Sequence, residues 1–448
     1  MGLLSLLDLL IAFLGLSSFL YQVVCVITSF AAKSVDFPDA PFDKHYCVLI
    51  AARNEQKVIG NLISSIRSQT YPSELIDIWV VADNCDDSTA QVCREAGCHV
   101  VERNNRELIG KGYALSYAFD NIIESGYSKK YDAYIVFDAD NLLDSHYIEE
   151  MNKGFHAGFN VLTSYRNSVN LNENWVSSGS ALWFMRESRF LHSSRAVFGT
   201  SCHVGGTGFL FSREIMERNG GWKFHLMTED LEFSTDCVLH GDRIGFCSKA
   251  MLYDEQPVTF VQSWRQRVRW SKGFLQVFRY YGGAMMQYAI KERDFSAVDL
   301  SLMICPLTVI SILRLALGIA FAAMGYMSWS VQLVSVKSFF ISAGTGVLIL
   351  MLLAALTCFA ERDKIDATNK ELFAFVLSFP VYMLSYIPIS FVAIFSKPQW
   401  KPIAHEGIAQ EGGKAEKILK ESVLARQDQQ GSQEQLEKTD RKEKGSAG

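Results

Sequence analysis

Four apolar stretches, each long enough to cross a lipid bilayer, constrain this chain more than any other feature. They lie at residues 9–30, 300–327, 339–360 and 372–395. A helix needs about 20 apolar residues to span the hydrocarbon core. The sequence therefore predicts an N-terminal transmembrane anchor at residues 1–32, a long polar region, and about three transmembrane helices at residues 299–396.

The charges beside these stretches predict where the polar region lies. No basic residue precedes the first stretch, and Lys33 follows it, which favours an uncleaved anchor followed by a cytoplasmic region. We therefore expect a multi-pass protein of the cell membrane. Lys397 and Lys401 favour a cytoplasmic C-terminus, which conflicts with three further crossings. Arg314 within the second stretch and Pro306 near its start leave the number of spans open.

Charge and cysteine spacing argue against two classes of protein. The net charge is -5, so the chain lacks the basic footprint of a nucleic-acid-binding protein. Its ten cysteines show no CxxC spacing typical of a metal site. Reduced thiols in a cytoplasmic domain explain them, with a disulfide framework as the alternative.

Between residues 45 and 140 the pattern alternates short apolar runs with helical segments. Strands are predicted at 45–52, 76–82, 99–102 and 133–140, and helices at 58–69, 88–96 and 111–124. This βα alternation predicts an α/β domain with a mostly parallel sheet, which binds ligands at the carboxyl ends of its strands. Five polar residues are predicted to lie at those ends: Arg53, Asn54, Asp83, Asp138 and Asp140.

The rest of the polar region carries two predicted long helices. The first covers residues 172–195. The second, at 258–281, mixes aromatic and basic residues, which suits either a helix at the membrane surface or an ordinary amphipathic helix packed on the domain. The predicted boundaries are 43–257 for the α/β domain and 258–298 for the interface helices. Residues 406–448 are predicted to form a disordered charged tail.

Asp138 and Asp140 form an acidic pair directly after a predicted buried strand. Two carboxylates at i and i+2 can converge on one ion, and oxygen-only ligands suit Mg²⁺ or Mn²⁺. The alternative is a pair that caps a turn at the end of the strand. Its position in a βα domain favours the metal site.

Asp230, in the sequence MTED, is a candidate general base. A hydroxyl is a poor nucleophile at neutral pH and gains from a positioned carboxylate. The alternative is a helix N-terminus with Thr228 as its cap and Glu229 and Asp230 in the first turn. Both interpretations can hold together.

Gln266, Arg269 and Trp270 in QRVRW would share one face of a helix. Arg269 offers a planar fork of donors for a diphosphate, Trp270 a flat face for a sugar ring, and Gln266 hydrogen bonds to hydroxyls. The alternative is a basic membrane-surface helix with a tryptophan anchor. Lys111 in GKGYAL would reach phosphate or base, or lie exposed at a helix start. His203 is interpreted as structural, since no cluster of metal-binding histidines is evident in the sequence.

Seven motifs occur in a fixed order from residue 45 to residue 273: AARNE, VVADNCDDST, GKGYAL, VFDAD, GGTGFLFSRE, MTED and QRVRWSKG. Together they resemble the membrane-embedded family 2 glycosyltransferases, which include cellulose, chitin and hyaluronan synthases, and most of all the bacterial exopolysaccharide branch. The resemblance implies an α/β GT-A (Rossmann-like) cytoplasmic domain plus α-helical transmembrane segments. It also implies a nucleotide-diphosphate sugar donor, commonly a UDP-sugar, with Mg²⁺ or Mn²⁺ as cofactor.

The resemblance further implies roles for the matching residues. Those expected at the nucleotide sugar are Arg53, Asn54, Glu55, Asp83, Lys111 and Asp138. Asp140, together with Asp138, would hold the metal, and Asp230 would be the base of an inverting displacement that Arg269 assists. Gln266, Arg269, Trp270 and Glu229 would hold the diphosphate and the acceptor.

Three functions follow as hypotheses. The leading one is extension of a cell-surface polysaccharide, with export or accessory subunits as partners. The second is transfer of one sugar to a lipid acceptor. The third is an inactive scaffold in a polysaccharide-export complex, against which the intact Asp140, Asp230 and Arg269 argue. Fewer membrane helices than in the processive synthases, and an unusual sequence at 205–208, leave processivity and product open.

Overall fold

The structure, a computed structural model, describes residues 2–324 and 329–397. The predicted tail at 406–448 lies outside the described residues. Within the described ranges, a mixed β-sheet with helices on both faces is joined to long apolar helices near both ends of the chain. The predicted domain boundaries stay predictions.

The sheet has eight strands in the order β3-β2-β1-β4-β7-β6-β8-β5. The strands are β1 Tyr46–Ala52, β2 Ile76–Asp83, β3 His99–Arg103, β4 Ala133–Asp138, β5 Leu142–Leu143, β6 Val161–Ser168, β7 Phe209–Ser212 and β8 Ile244–Asp254. The four predicted strands are β1–β4, and all are parallel. β7 runs antiparallel to both β4 and β6, so the sheet is mixed rather than mostly parallel throughout.

The helices pack on the sheet and extend beyond it. They are α1 Gly2–Ala31, α2 Ile59–Arg67, α3 Thr89–Glu95, α4 Lys111–Glu124, α5 Tyr147–His156, α6 Trp175–Arg186, α7 Ser193–Phe198, α8 Arg213–Asn219, α9 Glu229–Leu239, α10 Phe260–Glu292, α11 Phe295–Ile304, α12 Leu307–Ala323, α13 Trp329–Ala360, α14 Asn369–Leu384 and α15 Tyr386–Phe395. The predicted helices at 58–69, 88–96 and 111–124 correspond to α2, α3 and α4.

Both faces of the sheet are buried, as continuous apolar strands require. On β1, Cys47 and Leu49 point to the core that contains α4, whereas Val48 and Ile50 point to the core that contains α2. This alternation follows from the period of two residues in a strand. The strand ends are thereby held rigidly at one edge of the sheet.

The predicted helix at 172–195 starts later and ends later than expected. Asn174 accepts hydrogen bonds from the backbone N–H groups of Val176 and Ser177, which fixes the start of α6 at Trp175. After α6 the chain makes a π-helical turn, Glu187–His192, and continues as α7. Such turns occur often at functional sites.

Helix α10, longer than the predicted 258–281 segment, lies between the α/β domain and the apolar helices. The guanidinium of Arg267 is fully buried and donates to the carbonyl of Tyr382 (3.0 Å) and the hydroxyl of Ser385 (2.6 Å). Val268 packs on Ile389 of α15. One face of α10 therefore packs against α14 and α15, and another face can contact the α/β domain.

Among the residues that the structure describes, three helical segments are long and apolar enough to cross a membrane: Leu9–Ala31, Ala343–Ala360 and Asn369–Phe395. The stretch predicted at 300–327 is not one straight helix. Phe295–Ile304 and Leu307–Ala320 meet at a bend of 48°. Pro306, which has no backbone N–H, stands at the break and interrupts the helix.

Candidate active site

A cavity of about 1290 Å³ begins at the carboxyl ends of β1, β2 and β4 and continues between the apolar helices. The predicted site residues that line it are Arg53, Glu55, Asp83, Lys111, Asp138, Asp140, Glu229, Asp230, Gln266, Arg269 and Trp270. Asn54 is the exception. Its side chain accepts a hydrogen bond from the backbone N–H of Asp86 (2.8 Å), and its φ is 59°, so it shapes the strand end instead of lining the cavity.

The end of β2 is held by an ion pair that the sequence analysis did not identify. Arg103 lies 2.6 Å from Asp83 and donates to the carbonyl of Leu108 (2.7 Å). Asn84, with a φ of 53°, donates to Asp83 (2.9 Å). A non-glycine residue in this conformation is uncommon and often marks a functional site. Asp83 is therefore fixed in orientation at the carboxyl end of β2, where it lines the cavity.

Lys111 makes the most direct ionic contact with the acidic pair. Its ammonium forms an ion pair with Asp138 and donates to the carbonyl of Gly206 (2.6 Å). Burial raises the pKa of Asp138, but Lys111, together with the charges of Arg166 and Arg269, outweighs burial and holds this pKa below its ordinary value. Lys111 therefore points into the cavity, and the alternative of an exposed lysine at the start of a helix does not hold.

Asp138 and Asp140 offer only oxygen ligands on one wall of the cavity. The backbone N–H of Asp138 donates to the hydroxyl of Thr207 (2.9 Å), which fixes the end of β4. A hard divalent cation fits this donor set. The metal role of the pair stays a prediction.

Arg166 is a second cation that the sequence analysis missed. It forms an ion pair with Asp254, donates to the carbonyl of Gly205 (2.9 Å), and lies 3.7 Å from the ring centroid of Phe184. Arg166 lies within β6 and belongs to no recognisable sequence motif, so the sequence alone does not identify it. Its charge also favours the ionised form of Asp138.

Glu229 and Asp230 occupy the first turn of α9 and line the cavity. Burial, and next the charge of Asp230, raise the pKa of Glu229 to about 7. Burial also raises the pKa of Asp230, against the opposing effects of the Leu231 backbone amide and of Lys111. Thr228 stands at the cap position before α9, as the helix-start interpretation expects, but its side chain makes no capping hydrogen bond. The general-base role of Asp230 stays a prediction.

Gln266, Arg269 and Trp270 face the cavity from α10. Arg269 donates to the carbonyl of Met227 (3.1 Å), just before α9, and Trp270 makes an edge contact with Phe184 at 5.9 Å. The motif therefore belongs to an internal helix that borders the cavity on one side and α14 and α15 on the other.

Three residues that are not adjacent in sequence meet beside this site. Side-chain ligand atoms of Glu187, His192 and His203 lie within 4.8 Å of one another. The sequence shows no such cluster, because the π-helical turn and the loop before β7 bring the three together. Glu187 and His203 line the cavity.

The comparisons with known proteins agree with this architecture. A family model described as "Glycosyltransferase like family 2" matches residues 43–273, just over half of the chain. The solved mannosyltransferase PcManGT from Pyrobaculum calidifontis, in complex with GDP-Man and Mn²⁺, superposes with a TM-score of 0.51 at 15% identity over 88% of this chain and 100% of that chain. The GT-A fold is thereby confirmed.

Curated relatives are similar over the same region. A β-monoglucosyldiacylglycerol synthase from Synechocystis is 26% identical over 256 residues, which are 56% of this chain and 50% of that protein. A poly-β-1,6-N-acetyl-D-glucosamine synthase from Staphylococcus epidermidis is 23% identical over 236 residues, which are 50% of this chain and 53% of that protein. The chain spans about half the length of these relatives.

Proposed function

The chain belongs to family 2 of the glycosyltransferases, and on that basis we propose that it transfers a sugar from a nucleotide-diphosphate sugar, with inversion, to an acceptor at the membrane. One observation carries the proposal. A single cavity contains the acidic pair, the carboxylate of Asp230 and the cation of Arg269, and it continues between apolar helices. Glycosyl transfer needs a metal ion on the diphosphate, a base for the acceptor hydroxyl and a positive charge for the leaving group. The acidic pair, Asp230 and Arg269 could supply these in turn.

The donor would lie at the carboxyl ends of β1, β2 and β4. Arg53, Glu55 and Asp83 line that end of the cavity and suit the nucleoside. Lys111 and Asp138, which also line the cavity, would lie toward the diphosphate. A UDP-sugar is the proposed donor class, by resemblance to the family.

Asp230 would take the proton from the acceptor hydroxyl. The hydroxyl oxygen then attacks the anomeric carbon as the bond to the diphosphate oxygen breaks, so an α-linked donor gives a β-linked product. Glu229 lies beside Asp230, and burial together with the charge of Asp230 raises the pKa of Glu229 to about 7. Gln266 and Trp270 would orient the sugars.

Arg269 would stabilise the charge that the departing diphosphate gains. Its guanidinium is already held by the carbonyl of Met227, so little reorganisation is needed. Asp140, with Asp138, would hold Mg²⁺ or Mn²⁺, which would neutralise diphosphate charge when bound. The Mn²⁺ complex of PcManGT supports this choice of ion.

The proposed acceptor is a growing cell-surface polysaccharide, in agreement with the staphylococcal polymer synthases among the relatives. A second candidate is a lipid that receives one sugar. It is favoured by apolar residues such as Leu302, Val309 and Leu353 at the far end of the cavity, and by the glucosyldiacylglycerol synthases among the relatives.

We place the protein in the cell membrane as a multi-pass protein with its catalytic domain in the cytoplasm. The apolar helices support this placement, and cytoplasmic nucleotide sugars could then reach the donor end. Export or accessory subunits would act as partners if the product is a polymer.

The test is product analysis with purified protein in lipid nanodiscs. The protein is incubated with Mg²⁺ and a panel of radiolabelled UDP-sugars and GDP-mannose, and products are separated by size and by extraction into organic solvent. Long water-soluble products from one donor would support the polymer. Label in the organic phase alone would favour the lipid acceptor. An absence of both transfer and donor binding would contradict the proposed function.

A further inference from the structure

We propose that Glu187 and His203 form an acceptor-binding subsite, in which they bind hydroxyl groups of the acceptor sugar beside the general base. The inference rests on the proposed function and deepens it, because it assigns residues that select the acceptor. Both residues line the cavity that contains Asp230, and neither belongs to a motif of the family resemblance.

The backbone places His203 close to the base. The N–H of Val204 donates to the hydroxyl of Ser234 (3.0 Å), which in turn donates to the carbonyl of Asp230 (2.8 Å). Three residues after His203, a β-carbon on Gly206 would lie 3.5 Å from Asp230 Oδ2. The loop that carries His203 therefore packs against the first turn of α9, and an acceptor held at His203 would reach Asp230.

A chain of buried contacts fixes the proton on His203. Arg195 Nη1 lies 3.2 Å from His203 Nδ1, and Arg195 also forms a two-point ion pair with Asp299 (2.6 and 3.1 Å). A guanidinium only donates, so Nδ1 accepts, and Nε2 carries the hydrogen toward Glu187, 3.3 Å away. The His203 N–H thereby holds the Glu187 carboxylate in place on the cavity wall, and the remaining lone pairs of that carboxylate can accept a hydrogen bond from a sugar hydroxyl.

The carboxylate of Glu187 is kept ionised although little of it is exposed. Burial raises the pKa of this carboxyl group, whereas the hydrogen bond from His203 and the nearby charge of Arg186 lower it and favour the ionised form. An ionised carboxylate accepts stronger hydrogen bonds than a neutral one. Trp183, which also lines the cavity, packs against the guanidinium of Arg186 (4.2 Å) and so helps to hold this charge in place.

A metal site built from Glu187, His192 and His203 fits these contacts less well. A metal-bound histidine usually donates from its other ring nitrogen to a neighbouring acceptor. On His203 that other nitrogen, Nδ1, faces the donor Arg195. The geometry therefore points to hydroxyl recognition.

The test separates acceptor binding from donor chemistry. Full-length wild-type, Glu187→Gln and His203→Ala proteins are extracted into native-membrane nanodiscs, so that natural acceptors remain, and are supplied with radiolabelled UDP-glucose or UDP-N-acetylglucosamine. Label joined to lipid or polymer measures transfer, whereas free labelled sugar measures donor hydrolysis. UDP affinity is measured on the same samples. His146→Ala is the matched control, because His146 pairs with Glu149 (3.0 Å) away from the cavity.

We expect each subsite variant to lower transfer by about tenfold to a hundredfold, the effect of losing a hydrogen bond that involves a charged group, while UDP affinity and hydrolysis stay within about twofold. The control should match the wild type. Transfer within about twofold of wild type in both variants, or equal losses of transfer, hydrolysis and UDP affinity, would overturn the subsite alone. Wild-type protein that neither binds UDP nor consumes either donor would contradict the proposed function.

Discussion

Gly273 of α10 lies directly against Thr228, the residue before α9. A β-carbon at position 273 would be 2.5 Å from both Cγ2 and Oγ1 of Thr228, so only glycine permits this approach. Arg269 stands one turn earlier on α10 and Asp230 two residues after Thr228. The contact therefore explains why the QRVRW and MTED motifs meet in one cavity.

We predict that Gly273→Ala separates α10 from α9. The added methyl overpacks the contact, which should cost about 1–3 kcal/mol of stability and lower transfer by at least about tenfold. Gly283→Ala on the same helix is the control, since a β-carbon there meets nothing within 4 Å and alanine favours helices. Thermal unfolding and transfer rate, measured on both variants, check the prediction. Equal behaviour of the two would show that the close approach is unimportant.

The sequence predicted the first half of the sheet well because β1–β4 are apolar runs separated by helices of ordinary length. It did not predict the antiparallel insertion of β7, whose partner strands lie far away in the chain. Strand ends and motifs likewise identified eleven of the residues that line the cavity, since parallel strands share one edge.

The contacts that support the site were not predictable in the same way. Arg166 and Glu187 reach the cavity from the middle of a strand and from a π-helical turn, and no local pattern distinguishes them. Asn54 was expected to line the nucleotide pocket, but its left-handed backbone turns its side chain to Asp86. Long-range packing, which a single sequence does not display, decides such positions.

Glu229→Gln should move the acidic limb of the pH–activity profile to lower pH. In the wild type, burial and the neighbouring charge raise the pKa of Glu229 to about 7, and burial raises that of Asp230. Activity is then lost as the pH falls through these raised values, because the base becomes protonated. Glu229→Gln removes the carboxyl group of the pair that takes up a proton near pH 7, so that only Asp230 then titrates. A profile of kcat/KM against pH measures the shift, and an unchanged or upward-shifted limb would refute it.

Arg269→Lys should lower kcat by about a hundredfold, because a lysine retains the charge but loses the planar fork that meets two diphosphate oxygens. Donor affinity should change less than kcat, since the arginine acts mainly on charge that develops as the bond breaks. Single-turnover rates and UDP affinity distinguish the two. A loss confined to donor affinity would reassign Arg269 to ground-state binding.

Metal dependence is expected at the acidic pair. EDTA should abolish transfer, and Mg²⁺ or Mn²⁺ should restore it. Asp140→Asn should raise the metal concentration needed for half-maximal rate by about tenfold or more, since a neutral amide is a weaker ligand for a hard cation. Titration of Mn²⁺ at fixed donor concentration gives this value. Transfer that continues unchanged in EDTA would show that the reaction does not depend on a metal ion.

The most direct test of the account concerns Asp230 as the base. Wild-type and Asp230→Asn proteins, in the same nanodiscs with Mn²⁺, are compared for donor binding and for transfer of radiolabelled sugar. We predict that transfer by Asp230→Asn falls by about a thousandfold or more while its donor affinity stays within about threefold, since the base acts on the acceptor hydroxyl. Retained transfer, or a loss of donor affinity that equals the loss of transfer, would contradict it.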